Sequence, residues 1–152
     1  MMRIGVPKET KTLEGRVALV PAAAGDLVKR GHEVWIERDA GVKSGFADDE
    51  YAKLGVKIAP DAGALYEKGE LIVKVKEPID GDLALLRKDH LLFCYLHLAP
   101  LPALTKRLLD IGLTGVAFET VELDNGELPL LAPMSVIAGK IAVQVGTHYL
   151  DI

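Results

Sequence analysis

Cysteine occurs once in the 152-residue chain, and aromatic residues make up only 5% of it. The lone thiol, Cys94, sits inside the apolar run L-L-F-C-Y-L. It has no partner for an internal disulfide and reads as a buried, inert side chain. So few rings argue against a base-stacking platform for single-stranded nucleic acid. A net charge of −4 argues against a nucleic-acid or anionic-membrane partner. No apolar run approaches the roughly 18 residues of a membrane span. The start, M-M-R-I-G-V-P-K-E, lacks the apolar core of a signal peptide, so a cytoplasmic location is expected. No metal site is expected, because His32, His90, His97 and His148 have no useful mutual spacing and there is no C-x-x-C. Also missing are a G-x-S-x-G elbow, a Walker loop and the G-x-G-x-x-G of dinucleotide-binding folds.

What is present is 49% hydrophobic and 26% charged, enough apolar material for a folded core. Short apolar clusters at 3–6, 33–37, 56–58, 71–76, 91–96 and 113–118 read as strands. Helical patterns fall between them, at 22–30, 48–54, 61–67, 81–87 and 101–111. The first follows Pro21 and stops at Gly31, and Asp48, Asp61 and Asp82 sit near helix starts. Strand–helix alternation predicts an α/β fold with a mostly parallel, doubly wound sheet. Asn125-Gly126 is a hairpin signal, so 123–131 is expected to make a small antiparallel excursion. After Pro133 a long helix is expected, with Ser135 as N-cap. Ile137, Ile141, Val145 and Tyr149 form one stripe and Ala138, Ala142 and Gly146 another, predicting close contacts on one side.

Ligands of open parallel sheets sit outside the carboxyl ends of the strands. Residues just past each strand are therefore the first candidates. Lys74 and Lys76 end L-I-V-K-V-K-E-P and share one face if the strand continues. They are either the charged guards of an edge strand or ammonium groups offered to a carboxylate or carbonyl oxygen. His97 follows the fifth strand and is either a core histidine bonded to backbone or a general acid/base. Arg16 is either an ordinary surface residue or a bidentate clamp for a carboxylate. Glu119 reads as a cap or a partner for a neighbouring lysine. These residues alone describe an α/β domain that binds a small anion.

The same residues carry a family resemblance. M-R-I-G-V-P-K-E-T-K, E-G-R-V-A-L-V-P, R-G-H-E-V, L-I-V-K-V-K-E-P, L-L-F-C-Y-L-H-L-A, A-F-E-T-V and L-P-L-L-A-P-M-S resemble, in order, the N-terminal part of NAD-dependent alanine dehydrogenases. These belong to the alanine dehydrogenase/pyridine nucleotide transhydrogenase family. The resemblance implies a flavodoxin-like substrate lobe over 1–133 and a helix over 134–152 leading to a Rossmann NAD domain absent from this chain. It also implies that a C-terminal segment of a full chain completes the lobe. Arg16 then resembles the clamp of the substrate carboxylate, and Lys76 the holder of carboxylate and keto oxygen. His97 resembles the catalytic acid/base, while Met134 and Ser135 resemble cofactor contacts. The implied reaction is the reversible NAD-dependent deamination of L-alanine to pyruvate and ammonia, in a homo-oligomer that is a hexamer in the family.

Two other readings stay open: a transhydrogenase-type subunit, and a free-standing lobe binding an amino or 2-oxo acid. The motifs around Lys76 and His97 favour the dehydrogenase. Val136, Ile137, Lys140 and Pro100 depart from the common family pattern, and none of them is a proposed substrate contact.

Overall fold

In a computed structural model, residues 1–150 are described. They form a six-stranded, wholly parallel sheet: β1 (Arg3–Val6), β2 (Glu33–Glu37), β3 (Lys57–Ala59), β4 (Leu71–Val73), β5 (Leu91–Cys94) and β6 (Thr114–Ala117). The strand order is β3-β2-β1-β4-β5-β6. This is the expected doubly wound parallel arrangement, but in the six-stranded 3-2-1-4-5-6 order and not the five-stranded 2-1-3-4-5 of the expected flavodoxin-like lobe, because β3 extends the sheet beyond β2. The winding direction reverses between β1 and β4, and that is where such sheets open a crevice.

Six helices connect or follow the strands: α1 (Pro21–Lys29), α2 (Asp48–Ala52), α3 (Ala62–Lys68), α4 (Asp80–Leu83), α5 (Pro102–Ile111) and α6 (Ala132–Leu150). Pro21 opens α1, where a missing N–H costs nothing, and Gly31 follows its end at φ 86°. Asp61 caps α3, its side chain accepting the Ala64 N–H at 2.8 Å. Proline again starts α5, and Gly112 ends it at φ 76°.

Alternate residues along each strand feed two cores. Ile4, Val6, Val34, Ile36 and Val73 pack with α1 and α2 on one face. Ile72, Leu92 and Cys94 pack with Leu65, Tyr66, Leu83 and Leu108 on the other. Each fully buried aliphatic side chain contributes about 1.5–3 kcal/mol. Gly5 lets α3 approach β1, because a Cβ there would lie 3.2 Å from both Ile72 and Leu65. The α1/α2 side covers only half the sheet. Over β4–β6, Val73, Phe93 and Phe118 line a groove of about 500 Å³ together with Val17, Leu19 and Leu130.

Several expectations need correcting. The 123–131 stretch forms a turn, closed by Gly126 N–H to Leu123 O at 2.9 Å, but no strands. The segment therefore turns without adding a ladder to the sheet. The expected helix over 81–87 is a single turn at Asp80–Leu83. Ser135 is not an N-cap, since α6 already begins at Ala132 with Pro133 in its first turn. No residue of α6 is buried, so its apolar stripe of Ile137, Ile141, Val145 and Tyr149 stays exposed among the described residues. The expected end of that helix at 152 lies outside them. The helix itself is not among those long and apolar enough to cross a membrane; no helix of the described residues is.

Candidate active site

Three strand ends build the cleft. Pro7 ends β1, and the irregular segment that follows carries Glu9, Glu14 and Arg16. β4 stops at Val73, and the chain bends away through Val75 and Lys76. β5 stops at Cys94 and leads through Tyr95 to His97. Arg16, Lys76, Tyr95, His97, Leu131 and Met134 together enclose about 110 Å³. That is roughly the volume of three to four waters, the scale of a three-carbon acid. Four of the five expected site residues meet here. Ser135 does not line this cavity. It lies exposed in the first turn of α6, its N–H bonded to Leu131 O at 3.1 Å.

Arg16 is half-exposed and held from behind. Glu14 accepts from Nε at 2.9 Å and from Nη2 at 2.8 Å, and also from the Arg16 N–H at 2.8 Å. The Arg16 hydrogen bonds hold the Glu14 carboxyl down to about 2 despite its burial. The reciprocal bond raises the Arg16 guanidinium above its already high ordinary value. One carboxylate thus takes the Nε/Nη2 edge of the fork. The Nη1 side faces the cleft, where it meets the weakly accepting Met134 Sδ at 3.3 Å. The exchangeable contact is the sulfur, so an incoming carboxylate can replace it.

His97 is oriented by two glutamates. Its Nδ1 lies 3.1 Å from Glu77 Oε2. Burial raises the Glu77 carboxyl, but hydrogen bonds from Lys11, its own N–H and His97 outweigh it and hold it below the usual value. An ionised Glu77 makes Nδ1 the protonated nitrogen and leaves Nε2 to exchange a proton with a ligand. The backbone of His97 adopts φ 49°, rare for a side chain other than glycine. Glu119 secures it, accepting the His97 N–H at 2.7 Å and the Leu96 N–H at 3.2 Å. Glu119 is therefore neither a helix cap nor a lysine partner. Its acceptors are spent on two peptide groups that β6, ending at Ala117, no longer reaches.

The two lysines separate. β4 lies between β1 and β5, so neither lysine guards a sheet edge. Lys74 is 1% exposed, with Nζ 3.4 Å from Glu9 Oε2 and 3.3 Å from Asp82 Oδ2. Tyr66 donates to the other Asp82 oxygen at 2.8 Å. Lys76 lines the same cavity as Arg16, and among the described residues its ammonium makes no ion pair. The bend after Val73 breaks the two-residue alternation that would have put both on one face.

Residues 5–138 match the model of the alanine dehydrogenase/PNT N-terminal domain. The chain belongs to this family. It is 49% identical over 150 residues to an alanine dehydrogenase of Methanococcus maripaludis, covering 99% of this chain and 40% of that one. An alanine dehydrogenase of Geobacillus stearothermophilus is 45% identical over the same length, again with 40% of its chain covered. A solved L-alanine dehydrogenase superposes with a TM-score of 0.91 at 50% identity, covering 98% of this chain and 41% of that one. The transhydrogenase of Sinorhizobium meliloti is more distant, at TM-score 0.72 and 26% identity over 77% of this chain and 33% of its own. The chain thus spans about 40% of the length of the dehydrogenases it matches.

Family membership leaves the roles of individual side chains to the geometry. Of the residues singled out in the sequence, Arg16, Lys76, His97 and Met134 line this one cavity. Glu9, Glu14, Glu77 and Tyr95 were not singled out. Three of these stand beside named residues, Glu14 two before Arg16, Glu77 next to Lys76 and Tyr95 two before His97, so adjacency was the available signal. The role of Glu9 depends on a contact 66 residues away and had no local signal.

Proposed function

We propose that this chain supplies the substrate lobe, 1–133, and the start of the interdomain helix, 134–152, of an NAD-dependent alanine dehydrogenase. The reaction is the reversible oxidative deamination of L-alanine to pyruvate and ammonia. The observation that carries the proposal is the meeting of Arg16, Lys76 and His97 around one cavity of about 110 Å³ at the switch point. A cation pair facing an imidazole fits a small 2-oxo or amino acid and excludes a bulky one.

The Nη1 side of Arg16 holds the carboxylate and fixes orientation. Lys76 places an ammonium where negative charge grows on the carbonyl or carbinolamine oxygen. His97 carries the proton to and from that oxygen through Nε2, with Glu77 stabilising the charged ring. Tyr95, its ring centroid 5.9 Å from that of His97, walls the imidazole on one side. NAD, when bound, supplies the acceptor for the alanine Cα hydride. Met134 suits a place beside it, being a soft, apolar side chain at the cavity wall. Ser135, on the exposed first turn of α6, can offer only a surface contact. The bare sheet half at Phe93 and Phe118 suits a C-terminal segment of the same enzyme returning to complete the lobe. We place the enzyme in the cytoplasm as a homo-oligomer, a hexamer by family likeness.

The test is direct. Full-length protein supplied with L-alanine and NAD at alkaline pH should generate NADH. Lys76→Ala and His97→Ala should each lose at least about 100-fold in kcat with unchanged circular dichroism. Turnover of another amino acid but not alanine, or near wild-type rates in either variant, would refute the assignment.

A further inference from the structure

Glu9 is buried to 5% exposure yet takes no part in the cleft itself. Its Oε1 accepts the Val75 N–H at 2.7 Å and, more weakly, the Lys76 N–H at 3.4 Å. Its Oε2 lies 3.4 Å from Lys74 Nζ. The reason for this placement lies in the sheet. On the β5 side the bend stays hydrogen-bonded, with Lys74 N–H to Phe93 O at 3.1 Å and Tyr95 N–H to Val75 O at 3.1 Å, the second bond displaced by one residue from the β4–β5 ladder. On the other side β1 has pairings only for Leu71 and Ile72 and then departs at Pro7. The Val75 N–H therefore points to where a strand is missing, and a buried N–H without a partner costs about 1–3 kcal/mol. Glu9 fills that place with a side chain.

A carboxylate in this position needs its own counter-charge. Lys74 supplies it from below and is shared with Asp82, which Tyr66 and the Ile79 N–H hold in turn at 2.8 and 3.0 Å. The anchor thus runs from the α3–α4 layer through Lys74 and Glu9 to the peptide that carries Lys76.

We infer that Glu9 is a positioning residue for Lys76: its carboxylate stands in for the absent strand and fixes the backbone from which the substrate ammonium projects. The inference rests on the role given above to Lys76. Three consequences separate it from a general structural role. Shortening the side chain should matter even though charge is kept, because aspartate cannot reach both the Val75 N–H and Lys74. Glutamine should largely suffice for the backbone bond. Losses should fall on the substrate and not on the cofactor, since Glu9 lies beneath the substrate side of the cleft.

The experiment compares full-length wild type with Glu9→Ala, Glu9→Asp and Glu9→Gln, with pyruvate, ammonia and NADH. Expected are a tenfold or greater fall in kcat/KM for pyruvate in Glu9→Ala and Glu9→Asp, with KM for NADH within twofold of wild type. Glu9→Gln should stay within about threefold of wild type. Amide hydrogen exchange should show faster exchange at Val75 and Lys76 in the alanine and aspartate variants alone. Unchanged kcat/KM in Glu9→Asp would overturn the inference, and so would an equal rise in KM for NADH. If Glu9→Ala does not fold, Glu9→Asp carries the test. Should the wild type turn over no alanine or pyruvate, the proposed function fails. The exchange readout still decides whether Glu9 holds the Lys76 peptide, and unchanged exchange would overturn that as well.

Discussion

Replacing Lys74 with methionine gives a sharp test of the charge network under the cleft. Methionine has a similar length and no charge, so little cavity forms. Lys74 Nζ stands 3.4 Å from one carboxylate and 3.3 Å from another. At an effective dielectric of about 20, each pair is worth about 5 kcal/mol of gross attraction. Most of that offsets the desolvation of three buried charges. Removing the single cation, however, leaves Glu9 and Asp82 buried without it, and such half-broken pairs cost roughly 3–5 kcal/mol. The loss should depend on pH in a defined sense. Burial already raises the Glu9 carboxyl above its ordinary value, with Lys74 the main opposing influence. Without Lys74 it rises further, so the folded state binds a proton that the unfolded state has released. The variant should therefore recover stability as pH falls below the raised value, by up to about 1.4 kcal/mol per pH unit. Urea unfolding of both proteins at about pH 8 and about pH 5 measures this. A loss below about 1 kcal/mol at pH 8, or one equal at both pH values, would refute the account of a buried triad.

Two further outcomes follow from the same geometry. Arg16→Lys keeps the charge but cannot hold Glu14 through two bonds and still offer an edge to a ligand. KM for pyruvate should rise at least about tenfold with a smaller change in kcat. Unchanged kinetics would remove Arg16 from substrate binding. The Glu14 carboxyl is depressed from 4.5 to about 2 by Arg16. A depressed carboxylate stabilises the fold above its unfolded value and loses that contribution as pH falls toward 2. Acid unfolding of wild type and Glu14→Gln should differ most above about pH 4.5 and converge below it, and parallel curves would contradict the pairing.

The strand–helix rhythm was legible because each buried strand is a short apolar run and most helices start or stop at Pro, Asp or Gly. The 123–131 stretch misled because an Asn-Gly turn needs only its own residues, whereas a hairpin needs a sheet edge to join. That Arg16, Lys76 and His97 would gather at one cavity was legible because parallel sheets put ligands past strand ends, while the roles proposed for them rest on motif context. Motif context set Lys76 apart from Lys74, but both were placed on one face, since period-two reasoning cannot see a bend. The glutamates were opaque for a different reason. Glu9 bonds to Val75, Glu77 to His97 and Glu119 to the His97 peptide, 66, 20 and 22 residues apart. Such pairings exist only once the sheet has set the strand order.

The left-handed backbone of His97 bears on how the molecule trades stability against activity. A side chain with a Cβ held at φ 49° costs roughly 1–2 kcal/mol, a strain that glycine does not feel and asparagine feels less. Either substitution would keep the Glu119 bonds to the two peptide groups, remove the imidazole, and relax the chain. The proposed proton carrier is thus placed where the fold has least use for it. A screen that rewarded only thermal resistance would discard His97 early and deliver a sturdier protein without the imidazole on which the proposed reaction depends.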